Sequence, residues 1–188
     1  MATNIYEPCQ NPISGETFKA ISFNEEALVM QWSVQPKGYV PFEHIHLNQD
    51  EIFNVKKGEI KIVMNGGTYI AGQGETIIVP KGTAHIAYNN AANELDCVVE
   101  YKPGLDHDSF MQCFCGLTND KLMDSNGGID IPRMGYFLIQ MKAKCMTRPA
   151  KIPAPLFNIA LRFFYLRGML SGWKKLYEKY TAGPFVPN

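Results

Sequence analysis

Three histidines and one glutamate occur in this chain at spacings that suit a metal site. His44 and His46 are separated by one residue, so on a β-strand their side chains point to the same face. Glu51 follows after a short polar stretch, and His85 comes three residues after a proline–glycine turn, at the start of another apolar run. Three neutral imidazoles and one carboxylate suit zinc, iron, nickel, copper or manganese. A six-coordinate ion on these four side chains would leave two positions for water, substrate or oxygen.

The two segments that carry these residues resemble the signature segments of the cupin superfamily. They read Gly38-x5-His44-x-His46-x4-Glu51-x6-Gly58 and Gly74-x5-Pro80-x-Gly82-x2-His85-x3-Asn89. The resemblance covers roughly residues 28–101. It implies a jelly-roll β-barrel with one divalent transition metal (Fe, Mn, Ni, Zn or Cu) held by His44, His46, Glu51 and His85. It leaves the reaction open, because cupins include dioxygenases, isomerases, epimerases, decarboxylases, storage proteins and sensor modules.

The elements that must position these residues read as short strands. From residue 28 onward, apolar or alternating runs are separated by Gly and Pro turns. The predicted strands span residues 28–34, 39–47, 52–55, 59–64, 68–71, 76–79, 85–88 and 97–101. We therefore predict a mainly β protein, a cupin jelly-roll barrel over residues 28–104. Residues 1–27 are expected to form an extended N-terminal segment that adds an edge strand or a clasp.

Residues 105–188 read as a helical extension that packs on the barrel or on a dimer mate. The predicted elements are a helix after Asp106 or Asp108, a helix from Pro132 to about Ala143, an extended connector over residues 148–155 and a long helix over residues 156–180. The last helix is apolar on most of its surface, so it must be buried against the barrel, in a dimer or in a membrane surface. We favour packing within the protein over membrane contact. We also predict a homodimer, which would hide the edge strand and the apolar helix.

The zero net charge of the chain hides a strong asymmetry between its two parts. Residues 1–130 carry a net charge of −9, and residues 131–188 carry +9 and all four arginines. Attraction between an acidic barrel and a basic tail, within one chain or between two, is the favoured interpretation. Nucleic acid is disfavoured as a partner, because the chain has no evident helix-turn-helix segment.

Cysteine content and the N-terminal segment bear on the cellular compartment. Five cysteines at irregular spacings do not indicate a disulfide framework. The first residues are polar and contain a proline, so they do not read as a secretory signal. A cytoplasmic, reducing location is therefore expected.

Alternation along the strands predicts the wall of a ligand pocket around the metal. Residues two or four positions from a ligand on one strand share its face of the sheet. The predicted pocket residues are Phe42, Phe53, Val55, Ala87 and Asn89. Because this interior is mostly apolar, it suits a small, partly hydrophobic ligand with one or two oxygens that bind the cation.

Two classes of function fit this pocket. The first is a metal-dependent enzyme, in practice a dioxygenase-type oxidoreductase, although the same group could polarise a carbonyl for isomerisation. The second is a non-catalytic small-molecule-binding or sensory module. No second acid–base pair stands out in the sequence. The candidates for proton transfer are Tyr39, Tyr88, Glu100 and Tyr101.

Overall fold

In the described residues, two antiparallel β-sheets form the body of the protein, and four helices lie in the C-terminal part of the chain. The computed structural model describes residues 3–141 and 147–183. The strands are β1 (Cys9–Asn11), β2 (Glu16–Phe23), β3 (Leu28–Val34), β4 (His44–His46), β5 (Asp50–Lys57), β6 (Glu59–Met64), β7 (Gly67–Gly72), β8 (Thr76–Val79), β9 (His85–Tyr88), β10 (Leu95–Lys102) and β11 (Thr147–Pro149). The helices are α1 (His107–Asn119), α2 (Ile131–Gln140), α3 (Ala154–Leu170) and α4 (Trp173–Thr181).

The sheets have the order β1-β2-β3-β10-β5-β8 and β11-β4-β9-β6-β7. Buried residues of both sheets belong to one continuous apolar core. The predicted mainly β jelly roll with a C-terminal helical extension is confirmed.

Strict alternation explains why the central strands bury one face. In β3 every second residue, from Leu28 to Val34, is buried, and β10 shows the same pattern from Leu95 to Tyr101. These two strands pair with each other over seven residues. Their inward side chains stabilise the fold by about 1.5–3 kcal/mol each before chain entropy is subtracted.

The N-terminal segment adds two strands to the larger sheet. β2 pairs antiparallel with β3, and β1 pairs with β2 at the sheet edge. Glu16, at the start of β2, is therefore part of the barrel wall, and its side chain is buried.

The C-terminal extension begins with two helices that pack on each other and on the barrel. α1 buries most of its surface, including the predicted face of Phe110, Phe114 and Leu117. Asp130 caps α2, because its carboxylate accepts a hydrogen bond from the Arg133 backbone N–H at 2.8 Å. α2 ends at Gln140, and Ala143, the predicted end, lies outside the described residues.

The predicted long helix over residues 156–180 is wrong, because two helices occupy this segment. α3 ends at Leu170 and α4 begins at Trp173. Gly172 between them has a φ of +71°, a left-handed conformation that breaks the helix and that glycine adopts without strain. Neither these helices nor the others in the described residues are long and apolar enough to cross a membrane.

The connector between α2 and α3 contains a strand that the sequence did not reveal. β11 pairs antiparallel with β4, so Thr147 lies opposite His46 and Pro149 opposite His44. The C-terminal extension is thus hydrogen bonded to the strand that carries two of the predicted metal ligands.

Candidate metal centre

The four predicted ligands come together between the two sheets. His44 and His46 lie on β4, and His44 pairs directly with His85 of β9 in the same sheet. Glu51 lies on β5 of the other sheet. One donor atom from each of the four residues lies within 4.8 Å of the other three, and all four side chains are buried. The barrel therefore assembles the group from both of its walls.

The donor atoms converge at short distances. His44 Nε2 lies 3.2 Å from His46 Nε2, and Glu51 Oε2 lies 2.7 Å from His85 Nε2. The distance from Glu51 Oε2 to His46 Nε2 is 3.5 Å. Three Nε2 atoms and one carboxylate oxygen thus face a common point.

The outer nitrogens of the imidazoles explain why the inner ones are available as ligands. His44 Nδ1 lies 3.2 Å from the Phe42 carbonyl oxygen, and His85 Nδ1 lies 3.0 Å from that of Thr83. A carbonyl only accepts, so each Nδ1 carries a proton, and either ring in its neutral form presents an Nε2 lone pair inward. His46 Nδ1 is held at 2.9 Å by the Thr147 hydroxyl. A cation between these lone pairs and the carboxylate would satisfy all four, so the donor set fits a divalent transition metal.

Burial and mutual contacts set the protonation of the group. Burial raises the pKa of Glu51, but its hydrogen bonds to His46 and His85 outweigh that effect and hold the pKa well below its usual range. Burial lowers the pKa of His44 well below its ordinary value, which keeps this imidazole neutral. Burial also lowers the pKa of His85, but the hydrogen bond to Glu51 outweighs it and the pKa is raised. An anionic carboxylate and neutral imidazoles are the forms that bind metal, and the proton favoured on His85 would compete with it.

A small cavity of about 80 Å³ opens beside the four ligands. Most of its wall is apolar or aromatic and comes from both sheets, and α1 adds Phe110, Met111 and Phe114. Besides the ligands, the polar side chains in the wall are Glu16, Tyr101, His107 and Thr147. The volume has room for several water molecules, so the cavity suits a small ligand.

The family model described as "Cupin domain" matches residues 30–101, the segment that contains the barrel strands and the four converging side chains. This segment is a cupin domain. The recognition made from the two signature segments is therefore confirmed. The match leaves β1, β2 and the helical extension outside the family model. No curated protein sequence matches the chain.

Several solved structures are similar to this cupin. One is a sugar phosphate isomerase of the cupin superfamily from Silicibacter pomeroyi, at 18% identity over 50% of this chain and 62% of that one, with a TM-score of 0.45. KdgF from Halomonas sp. is 18% identical over 50% of this chain and 84% of that one, with a TM-score of 0.45. An RmlC-like cupin from Shewanella frigidimarina is 17% identical over 54% of this chain and 87% of that one, with a TM-score of 0.47. Likeness at this level carries no inference about activity.

Three of the five predicted pocket residues line the cavity of the cupin: Phe42, Phe53 and Ala87. Val55 does not, because it lies two residues beyond Phe53, roughly 7 Å further along the strand, and packs in the apolar core. Asn89 does not either, because it follows the end of β9. Its amide donates to the carbonyl oxygens of Val34 and Asn93, both at 2.8 Å. Both residues therefore lie outside the cavity wall that Phe42, Phe53 and Ala87 line.

Of the four proton-transfer candidates, the structure brings only Tyr101 into the cavity wall. Burial, together with the charge of Glu51 and a hydrogen bond to it, raises the pKa of Tyr101 well above its ordinary value, so the phenol is protonated and donates. Glu100, on the opposite face of β10, pairs with Lys102 at 2.6 Å. Tyr39 and Tyr88 are likewise not in the wall.

Glu16 is a cavity residue that sequence reasoning missed. The Ser14 hydroxyl donates to Glu16 Oε2 at 2.7 Å, and the Trp32 indole N–H donates to Oε1 at 3.2 Å. Burial raises the pKa of Glu16 to about 7, although both hydrogen bonds lower it. The only sequence signal was the spacing of Glu16, Phe18 and Ala20, which places the three side chains on one face of a strand. That signal indicates a cavity residue only if residues 16–23 are first assigned to the barrel.

His107 is the second missed residue, and its hydrogen bonds define its tautomer. Gln49 donates through Nε2 to the carbonyl oxygens of Pro103 and Gly104, at 2.7 and 3.1 Å. Gln49 Oε1 therefore faces His107 Nδ1 at 3.0 Å, and Nδ1 must be the donor. Burial lowers the pKa of His107 well below its ordinary value. The ring is thus neutral, with its basic nitrogen at Nε2. No spacing rule links the first residue of α1 to the signature segments.

Proposed function

We propose that this cupin is a metal-dependent enzyme of the dioxygenase type. Its substrate would be a small, partly apolar molecule that carries a hydroxyl or carbonyl oxygen. The observation that carries the proposal is a buried group of three imidazoles and one carboxylate that opens on a small, mostly apolar cavity. Dioxygenation places both atoms of O2 in the product and therefore needs no separate reductant.

His44, His46, Glu51 and His85 would hold one divalent ion. When bound, such a metal would polarise a substrate oxygen and activate dioxygen. Glu51 is the only anionic ligand of the four, so the site would retain a positive charge that favours an ionised substrate oxygen. Thr147 fixes the orientation of the His46 ring through its hydroxyl.

The other polar residues of the cavity are suited to binding and proton transfer. His107 is a neutral imidazole whose Nε2 can take the proton of a substrate hydroxyl. The protonated phenol of Tyr101 donates to Glu51 and holds that carboxylate in place. The α1 side chains Phe110, Met111 and Phe114 shield the cavity from water.

Oxygen uptake is the decisive test of this proposal. Purified protein would be reconstituted separately with Fe, Mn, Ni, Cu and Zn, and uptake measured with a panel of small phenols and diketones. We expect uptake with at least one redox-active metal and none with zinc. A His107→Phe variant should keep its metal and lose turnover, whereas a His44→Ala, His46→Ala variant should lose both.

Two alternatives predict different outcomes in the same experiment. A metal-dependent isomerase would convert a carbonyl substrate without oxygen uptake. The presence of two proton-transfer groups, Glu16 and His107, in one cavity wall favours this alternative over other non-redox reactions. A sensory or binding module would raise its melting temperature with a panel member and convert none. Uptake that is absent with every redox-active metal would refute the dioxygenase proposal.

A further inference from the structure

α3 carries an apolar stripe that faces solvent. Its members follow one another at alternating steps of three and four residues, so they share one face of the helix. They are Leu156, Ile159, Phe163, Leu166 and Leu170, and they are between 51% and 90% exposed. We call these five residues the outer stripe. Phe157, Leu161 and Gly168 hold the opposite face of α3 against the rest of the protein. A soluble chain rarely exposes so many large apolar side chains together, and such a patch marks an interaction site.

Two arginines lie beside the outer stripe on α3. Arg162 lies three residues after Ile159, and Arg167 lies four residues after Phe163, so the two arginines flank the stripe on α3. α3 contains no acidic residue, and residues 148–181 contain seven Lys and Arg against Glu178 alone. Within residues 3–141 and 147–183, no carboxylate forms an ion pair with Lys151, Arg162 or Lys175. These cations are available to an external anionic partner.

We propose that α3 docks this cupin on an anionic lipid surface, with the outer stripe in the interface and the flanking cations at the headgroup phosphates. The helix is too short to span a bilayer, so it would lie in the plane of the surface. Hydrophobic insertion and attraction to anionic headgroups act together in this mode, and each cation near such a surface strengthens binding roughly fivefold.

A second copy of the chain is a less suitable partner for the same face. In a symmetric pairing of two α3 helices, Arg162 and Arg167 of both copies would line one seam. α3 offers no carboxylate to neutralise them. Like charges along such a seam weaken helix association, whereas an anionic membrane surface complements them.

Vesicle co-flotation of the full chain tests the proposal. The probes are vesicles of phosphatidylcholine alone and of phosphatidylcholine mixed with phosphatidylglycerol. We expect binding to the mixed vesicles and little to the neutral ones. Phe163→Ser together with Leu166→Ser should weaken binding at least tenfold. Ile21→Ser together with Ile78→Ser is the matched control, because these barrel residues are similarly exposed, and it should bind as wild type does. Arg162→Glu should also weaken binding to the mixed vesicles.

Light scattering of the same variants separates the lipid surface from a second copy. We expect the Phe163→Ser, Leu166→Ser variant to keep the molar mass of wild type. The proposal is overturned if wild type ignores mixed vesicles, or if this variant loses mass while lipid binding is unchanged. Binding that is equal for the stripe variant and the barrel control would also overturn it.

Discussion

At the scale of single residues, the geometry of the three histidines of the candidate metal site depends on partners outside the group. Two backbone carbonyls and the Thr147 hydroxyl fix the outer nitrogens of the three histidines, which directs Nε2 of His44 and His85 inward. Such partners typically change metal affinity about 10–100-fold when they are removed. We therefore expect metal affinity to depend on Thr147 as well as on the four predicted ligands.

Replacing His46 by Ala should cut the metal content of the purified protein sharply, because three ligands chelate less well than four. Elemental analysis measures this directly. His107→Gln is the matched control, since His107 lies outside the ligand group and its loss should leave the metal in place. Full occupancy in a His44→Ala, His46→Ala double variant would contradict the assignment of the site.

Glu16 should make folding stability depend on pH. Its pKa in the folded protein is about 7, above the ordinary value of 4.5. Between pH 4.5 and pH 7, the Glu16 carboxyl is therefore protonated in the folded protein and ionised in the unfolded chain. Stability from this group is fully present below pH 4.5 and is lost as pH rises through 7, by roughly 3 kcal/mol.

Urea unfolding of wild type and Glu16→Gln at acidic and mildly alkaline pH measures this contribution. The free energy of unfolding should fall more steeply with rising pH in wild type than in the variant. Glu25→Gln, at an exposed position, should follow wild type. Equal pH dependence in wild type and Glu16→Gln would contradict the buried-carboxyl interpretation.

At the scale of elements, close contacts between helices fix the C-terminal extension. A Cβ added at Gly116 of α1 would overlap the Tyr180 ring of α4, and one at Gly168 of α3 would overlap the Tyr136 ring of α2. Both tyrosines are fully buried. Glycine at these two points lets the helices approach closely.

Gly116→Ala should therefore destabilise the protein by about 1–3 kcal/mol, because the methyl group forces α4 away from α1. The midpoint of chemical denaturation measures the loss. Leu170→Ala, at the most exposed of the large apolar side chains of α3, should change stability by less than about 0.5 kcal/mol. A Gly116→Ala protein as stable as wild type would mean that α4 does not pack on α1 as described.

At the scale of the whole molecule, the basic helices α3 and α4 pack on α1 and α2 mainly through apolar side chains. Phe157, Leu161, Trp173 and Tyr180 are buried by this packing. Lys179 of α4 and Asp120, next to α1, form an ion pair at 2.6 Å. A partly exposed pair of this kind contributes only about 0–1 kcal/mol, so burial sets the strength of the packing and charge sets its orientation.

Truncation after Thr147 should leave an aggregation-prone barrel with a lowered melting temperature. It would uncover the surfaces of α1 and α2 on which α3 and α4 pack. Moderate salt should not release the extension of the full chain, because hydrophobic burial is not screened. Differential scanning fluorimetry and limited proteolysis with and without salt check both statements. A truncated chain that stays soluble with an unchanged melting temperature would contradict them.

The predicted homodimer would form through an exposed edge of the β-sheet. β7 is an edge of its sheet and exposes Tyr69 and Ile70. Unpaired edges of this kind associate readily. Light scattering should give twice the mass of one chain at micromolar concentration, and Ile70→Lys should reduce the dimer. A strictly monomeric mass at high micromolar concentration would count against this prediction.

Local sequence patterns were sufficient to predict most of the barrel strands and the four residues of the candidate metal site. The strands at residues 28–34, 59–64, 76–79 and 85–88 begin and end where the pattern predicted. Local signals suffice there, because alternation and turn residues act over a few positions. The positions of His44 and His46 follow from the same period of two, and their convergence with Glu51 and His85 is implied by the cupin resemblance.

The surroundings of these four residues depend on contacts between distant parts of the chain. Glu16, His107 and Thr147 reach one cavity from residues up to 131 positions apart in the chain. Strand β11 exists because its backbone pairs with β4, and its own sequence of Thr-Arg-Pro is no strand signal. Alternation along a strand predicts which face of the sheet a side chain occupies, but not how far along the barrel it lies. It therefore did not reveal that Val55 lies beyond the cavity. Depth and long-range pairing depend on the packing of the whole chain, and local periodicity carries no information about them.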